Sequence, residues 1–189
     1  MNQDGLRSAR FAGVLKVPHL IVRTLPDDGT YPNNAALPLL VYQAAVHLPQ
    51  ADPAATFEDL FEANGWGGAW RNGVYGFFHY HSTAHEVLGV YRGSARIQLG
   101  GEEGLAFEVQ PGDVVVIPAG VAHKNLGTGG LPAAQQFGVV GAYPRGQRPD
   151  MNYGRAGERP RADRDIAQVA LPAADPVYGT QGPLTEHWS

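Results

Sequence analysis

Apolar and polar residues alternate along most of this chain in short runs broken by glycine and proline, a pattern of many short strands and few helices. LIVRT (Leu20–Thr24) reads as a strand stopped by the turn Pro26-Asp27-Asp28-Gly29, and PLLVYQAAV (Pro38–Val46) as a second. DPAATFEDLFEANG changes the period. Asp52 suits an N-cap, Pro53 the first helical position and Gly65 the position after the C-cap, so a helix is predicted over 53–64. Phe57, Leu60 and Phe61 fall on one face of it, as an amphipathic packing surface. Strands are then predicted at VYGFFHYH (74–81), HEVLGVY (85–91), SARIQL (94–99), LAFEV (105–109), DVVVI (113–117) and AQQFGVVGAY (134–143). Gly100-Gly101-Glu102-Glu103-Gly104 joins two of them as a hairpin, its carboxylate pair solvated, and Gly127–Gly130 reads as another loop.

Past Tyr143 the pattern dissolves into PRGQRPDMNYGRAGERPRADRD and LPAADPVYGTQGPLTEHW. Arg155, Arg159, Arg161 and Arg164 are offset by Glu158, Asp163 and Asp165, which reads as a solvated segment wrapping over the strands; the sharper reading is an arginine patch for an anion.

Composition narrows the class. With 189 residues, 43% hydrophobic and 17% charged, one globular domain is expected. A net charge of −4 argues against nucleic acid and acidic membranes as partners. The absence of cysteine excludes disulfides, a thiolate nucleophile and a zinc finger. MNQDGLRSAR opens no apolar leader, and FAGVLKVPHLIV is interrupted by Lys16, Pro18 and His19, so a cytoplasmic protein without a membrane span is expected.

HYHSTAHEVLGVYRG (His79–Gly93) carries the chemistry. It puts three of the seven histidines within seven residues. On a strand His79 and His81 share a face, with Tyr75 and Phe77 on the same parity. Two inward imidazoles need strong partners, and a transition metal is the most economical one. Glu86, with Leu88 and Val90 on its parity, enters the same interior from the next strand. His85 points the other way, to an outward or second-shell place, unless a bulge shifts the register and makes it the ligand. His123 returns after the Pro118-Ala119-Gly120 turn as a fourth candidate.

Gly73-x5-His79-x-His81-x4-Glu86-x6-Gly93 resembles the first motif of the cupin (RmlC-like) superfamily. Gly112-x5-Pro118-x-Gly120-x2-His123 resembles the second, ending in Gly127 where that pattern usually has asparagine, with Asn125 two residues before. PNNAALPLLVY (32–42), NGWGGAWRNGVY (64–75) and VVGAYPRGQ (139–147) look like the YjlB-like bacterial single-domain cupins. The resemblance implies an all-β antiparallel jelly-roll barrel. Its metal-binding core would be 73–143, with an N-terminal extension (1–72) holding strands and the helix, and an irregular C-terminal wrap (144–189). It implies one divalent metal on His79, His81, Glu86 and His123.

Three imidazoles and a carboxylate suit Fe, Mn, Ni, Co, Zn or Cu alike. The expected second shell is Tyr75, Phe77, Leu88 and Val90 with Gln98 or Gln136, and Arg71 and Lys124 flank the motifs. These features point to oxygenase-, isomerase- or hydrolase-type chemistry on a small oxygenated molecule. The alternatives are a non-catalytic metal-dependent binding or sensing protein, and a metal that only rigidifies the barrel. No G-x-S-x-G elbow or phosphate-cradling Gly-Lys-Ser/Thr loop competes. A homodimer is expected, paired through the Leu39–Val46 strand or the amphipathic helix.

Overall fold

A computed structural model describes residues 11–127 and 136–188; the first ten residues and the further part of the Gly127–Gly130 loop lie outside them, as do Ala134 and Gln135 of the last predicted strand. Two antiparallel sheets face each other. The larger runs β1 (His19–Leu25), β2 (Asn34–Gln43), β7 (Val114–Ile117), β4 (Glu86–Arg92), β9 (Gly138–Pro144), β3 (Trp66–Asn72). The smaller runs β6 (Leu105–Val109), β5 (Ala95–Leu99), β8 (His123–Asn125). This is the all-β jelly roll the motifs imply.

The central strands of the larger sheet are buried on both faces, which is why they read as continuous apolar runs such as VVVI. Leu88, Val90, Val115, Ile117 and Val139 pack against Ile97, Leu99 and Val109 of the smaller sheet, forming the barrel interior. Val87, Val114, Val116, Val140 and Ala142 face outward, beneath the helix and the C-terminal residues Val177, Leu184 and Trp188. That helix, α1 (Pro53–Ala63), has the expected ends: the Asp52 carboxylate accepts the Ala55 N–H at 3.3 Å, and Gly65 takes φ +81°. Phe57, Leu60 and Phe61 are buried. The Phe57 ring lies directly over Gly89 of β4, where a β-carbon would collide with it.

Four expectations change. VYGFFHYH forms no strand. It touches the sheets through the isolated bridges His79↔His123 and Tyr80↔Asn152, with the Tyr75 carbonyl accepting from Asn125, too widely spaced for a ladder. The strand alternation therefore fails there, and Tyr75 and Phe77 are about half exposed rather than interior. The adjacent strand β3 lies instead in WGGAWRN, whose two glycines hid it. Thirdly, β2 begins at Asn34 rather than Pro38 and stops at Gln43, before Ala44 at φ 54°. Finally, β2 lies between β1 and β7 and the apolar face of α1 is buried, so both surfaces expected to pair two copies are covered within one chain.

The C-terminal wrap holds two short helices, α2 (Arg161–Ile166) and α3 (Pro183–His187), and is pinned rather than loose. Asp175 is fully buried and accepts from the Tyr42 hydroxyl (2.7 Å) and the backbone N–H groups of Val177, Tyr178 and Leu184. The arginines act separately: Arg159 pairs with Asp27 and Asp163, Arg161 reaches Asn152, and Arg155 lies over the Tyr153 ring.

Candidate metal centre

Each donor is placed by a different piece of local structure. Glu86 opens β4, whose alternation carries Glu86, Leu88 and Val90 to the barrel interior. His123 opens β8, after the Pro118–Gly120 turn. Gly120 there has φ +93°, and a β-carbon would strike the Asn33 carbonyl. Asn33 and Asn34 hold this turn. The Asn33 carboxamide oxygen accepts from the Ala122 N–H, and the Asn34 amide donates to the Ala119 carbonyl at 3.0 Å. His79 and His81 sit on the irregular segment that the two bridges fix.

The four side chains meet. Imidazole nitrogens of His79, His81 and His123 come within 4.8 Å of one another. Glu86 Oε2 lies 3.2 Å from His123 Nε2 and 3.7 Å from His81 Nε2. All four residues are buried. Every ring is oriented through its other nitrogen by a main-chain carbonyl: His79 Nδ1 by Phe77 (3.3 Å), His123 Nδ1 by Val121 (3.1 Å) and His81 Nδ1 by Asp150. A carbonyl only accepts, so these contacts place a proton on each Nδ1 and turn Nε2 to the site.

Sequence reasoning missed Asp150. Its carboxylate accepts from the Ser82 N–H and hydroxyl (both 2.6 Å), the Thr83 hydroxyl and the Asn152 amide, which fixes the carbonyl that meets His81. No local pattern in the sequence signals a contact across 69 residues.

The electrostatics match this geometry. Burial, and next His123, push His79 down to about 3, so its imidazole is neutral. Burial works to raise the Glu86 carboxyl, but His81 and His123 outweigh it and hold it below the usual carboxylate range. Burial likewise opposes charge on His81, yet Glu86 and the Asp150 carbonyl hold it above its ordinary value. Glu86 Oε2 is buried without a hydrogen-bond partner. A divalent cation would satisfy it, and three imidazoles with one carboxylate form a fitting donor set.

Above the donors is a cavity of about 280 Å³ walled by Trp70, Val74, Leu88, Tyr143 and Met151. Trp70 lies over Gly141, its cross-strand partner, and its indole N–H donates to the Tyr143 hydroxyl at 2.9 Å. Tyr143 is pushed well above its ordinary value, chiefly by burial and next by Glu86.

The other residues expected around the donors lie elsewhere. Val90 is in the core, Gln98 donates to the Gly101 and Glu102 carbonyls, and Gln136 is exposed. Lys124 covers the Phe78 ring and approaches Glu102. Arg71 reaches the cavity rim but is bound by Glu58 and Asp52. His85 points away from Glu86 but is buried rather than outward. Its Nδ1 accepts the Ala119 N–H, and its ring lies 4.7 Å from that of Trp188.

Comparison with known proteins agrees with this reading of the fold. The cupin family profile matches residues 71–149. The uncharacterized protein YjlB of Bacillus subtilis (strain 168) is 44% identical over 163 residues, which is 86% of this chain and 93% of that protein. Solved structures are more distant. The acireductone dioxygenase from Bacillus anthracis, with a cadmium ion in its active centre, is 13% identical at a TM-score of 0.37, over 77% of this chain and 89% of that one. The 11S globulin from Wrightia tinctoria is 22% identical at a TM-score of 0.34, over 45% of this chain and 22% of that one. Neither structural likeness bears on ligand or activity. The identity to YjlB along nearly the whole of both chains, with both motifs inside the family match, makes this protein a member of the cupin family.

Proposed function

We propose that this cupin binds one divalent transition metal (Fe, Mn, Ni, Co, Zn or Cu) through His79, His81, Glu86 and His123 and acts on a small oxygenated metabolite, by oxygenase-, isomerase- or hydrolase-type chemistry. One observation carries the reading: three buried imidazoles, each oriented through Nδ1 by a main-chain carbonyl, bring ring nitrogens within 4.8 Å of one another beside a buried carboxylate oxygen that has no hydrogen-bond partner. Such a metal supplies Lewis acidity and, if redox-active, electron transfer.

The chain's own groups do the rest. Trp70 and Leu88 present apolar surface to the cavity. The Tyr143 hydroxyl accepts from the Trp70 indole at the cavity wall, and its raised pKa, to which Glu86 contributes, keeps its own proton in place. The test is elemental analysis of untagged protein purified without chelators, beside His79→Ala and His123→Ala. Near-stoichiometric metal in the wild type alone supports the assignment. A folded wild type that cannot be loaded with any of these ions overturns it. If metal binds and no substrate turns over, the metal-dependent binding or sensing protein becomes the better reading.

A further inference from the structure

The metal reading says nothing of what kind of molecule fills the cavity, but its walls and mouth do. Among the described lining residues outside the donor set the one cationic side chain is Arg71, and its guanidinium is closed off by Glu58 (2.7 Å) and Asp52 (2.8 Å). Beyond the donor set, no free positive side chain lines the walls to hold a phosphate. The Asn72 carboxamide oxygen accepts from the Gly73 N–H, so outside the donor set and Arg71 the polar side-chain groups left on the walls are its amide and the hydroxyls of Tyr75 and Tyr143. A polyhydroxylated ligand would leave most of its hydroxyls unpaired against Trp70, Val74, Leu88 and Met151, which costs binding energy.

The mouth is apolar as well. Soluble proteins seldom gather exposed large apolar side chains in one place without use. Here Tyr75 and Met151, at 50% and 39% exposure, line the cavity, and Phe77 and Tyr153, at 48% and 37%, line a depression shared with Phe78, Lys124 and Arg155. Tyr75 stands edge-on to His79, with ring centroids 5.2 Å apart. Phe77 stacks on Tyr75 at 4.8 Å and 19°, and Tyr153 follows at 6.0 Å from Phe77. The result is an aromatic shelf that starts beside the donor histidines and leads outward.

We propose that the cavity takes a ligand with two unlike ends: a head carrying a pair of oxygen donors, set against the histidines, and a flat apolar or aromatic body that leaves over Tyr75 and Phe77. The head rests on the metal reading; the body does not. A second copy of the chain is the rival occupant of the shelf. Four side chains fall short of the roughly 800 Å² per partner of a stable interface, and the shelf continues into the cavity, which a ligand uses and a flat contact does not.

Two probes with one head and different bodies test this. Acetohydroxamate and biphenyl-4-carbohydroxamate are titrated into zinc-loaded and chelator-stripped protein, reading dissociation constants by calorimetry and the Trp70 indole N–H by NMR. The biphenyl probe should bind the zinc-loaded protein at least about tenfold tighter than the methyl probe, given the apolar area it buries. Phe77→Ala, at an exposed position, should reduce that preference severalfold with metal content unchanged. Affinities within about twofold of each other, or glucose phosphate binding as tightly as the biphenyl probe, would overturn the proposal. So would Phe77→Ala converting a dimer to a monomer while leaving probe affinity unchanged, which assigns the shelf to a second copy. If zinc does not load, a biphenyl preference that persists in the stripped protein supports the shelf while the metal reading fails; loss of the preference there overturns the shelf too.

Discussion

His79 and His123 lie directly opposite each other and exchange both main-chain hydrogen bonds, His79 N–H to the His123 carbonyl at 3.3 Å and the reverse at 3.0 Å, with ring centroids 4.2 Å apart. The spacing of two donors is thus set by backbone pairing rather than by side-chain torsions. A site so fixed needs little ordering when an ion arrives, and binding energy should appear as stability. At a hundredfold excess of metal over its dissociation constant the protein should gain about 2.7 kcal/mol, lost again on adding chelator. Thermal melts with and without metal check this, and an unmoved midpoint counts against the site.

Asp150→Ala should weaken metal binding by about 10–100-fold, because the carbonyl that turns His81 loses its anchor on Ser82, Thr83 and Asn152. Competition against a chromophoric chelator measures it. Unchanged affinity would show that His81 finds its orientation without the clamp.

His85→Ala should leave metal content at one per chain while lowering stability, since this residue packs on Trp188 and accepts the Ala119 N–H on the opposite face of the strand from Glu86. Loss of metal in this variant, with retention in Glu86→Gln, would exchange the two roles.

Gly89→Ala should destabilise by about 1–3 kcal/mol, because the new methyl meets the Phe57 ring. Urea unfolding of Gly89→Ala, Phe57→Ala and the double variant should show strong non-additivity, the second change making room for the first.

Asp175→Ala should cost about 3 kcal/mol by leaving the Tyr42 hydroxyl and three backbone N–H groups without their acceptor in a dry interior. A loss below about 0.5 kcal/mol would mean that water reaches them easily.

The legible parts of the sequence were those where one local pattern decides. LAFEV is β6 to the residue, Asp52, Pro53 and Gly65 mark the ends of α1, and His79, His81 and His123 come together with Glu86 beside two of them. Illegible were places where a distant partner decides. WGGAWRN has no strand pattern of its own; β9 pairs with it and Gly141 makes room for Trp70. Tyr75 and Phe77 obey alternation only if their segment is a strand, and bridging at isolated points releases them. His85 was placed on the correct side of β4, but its burial depends on Trp188, more than a hundred residues later.

The Asp150 clamp bears on how this protein can be divided. The family match ends at residue 149 and contains all four candidate donors. An excised fragment drawn to that boundary would be cut one residue short of the carbonyl that orients His81, and would also shed Asn152, which pairs with Tyr80 through the backbone. Transplanting the two motifs onto another barrel would carry the ligands without their alignment. The smallest portable unit of the site includes the start of the segment that, by its lack of pattern, most resembles packaging.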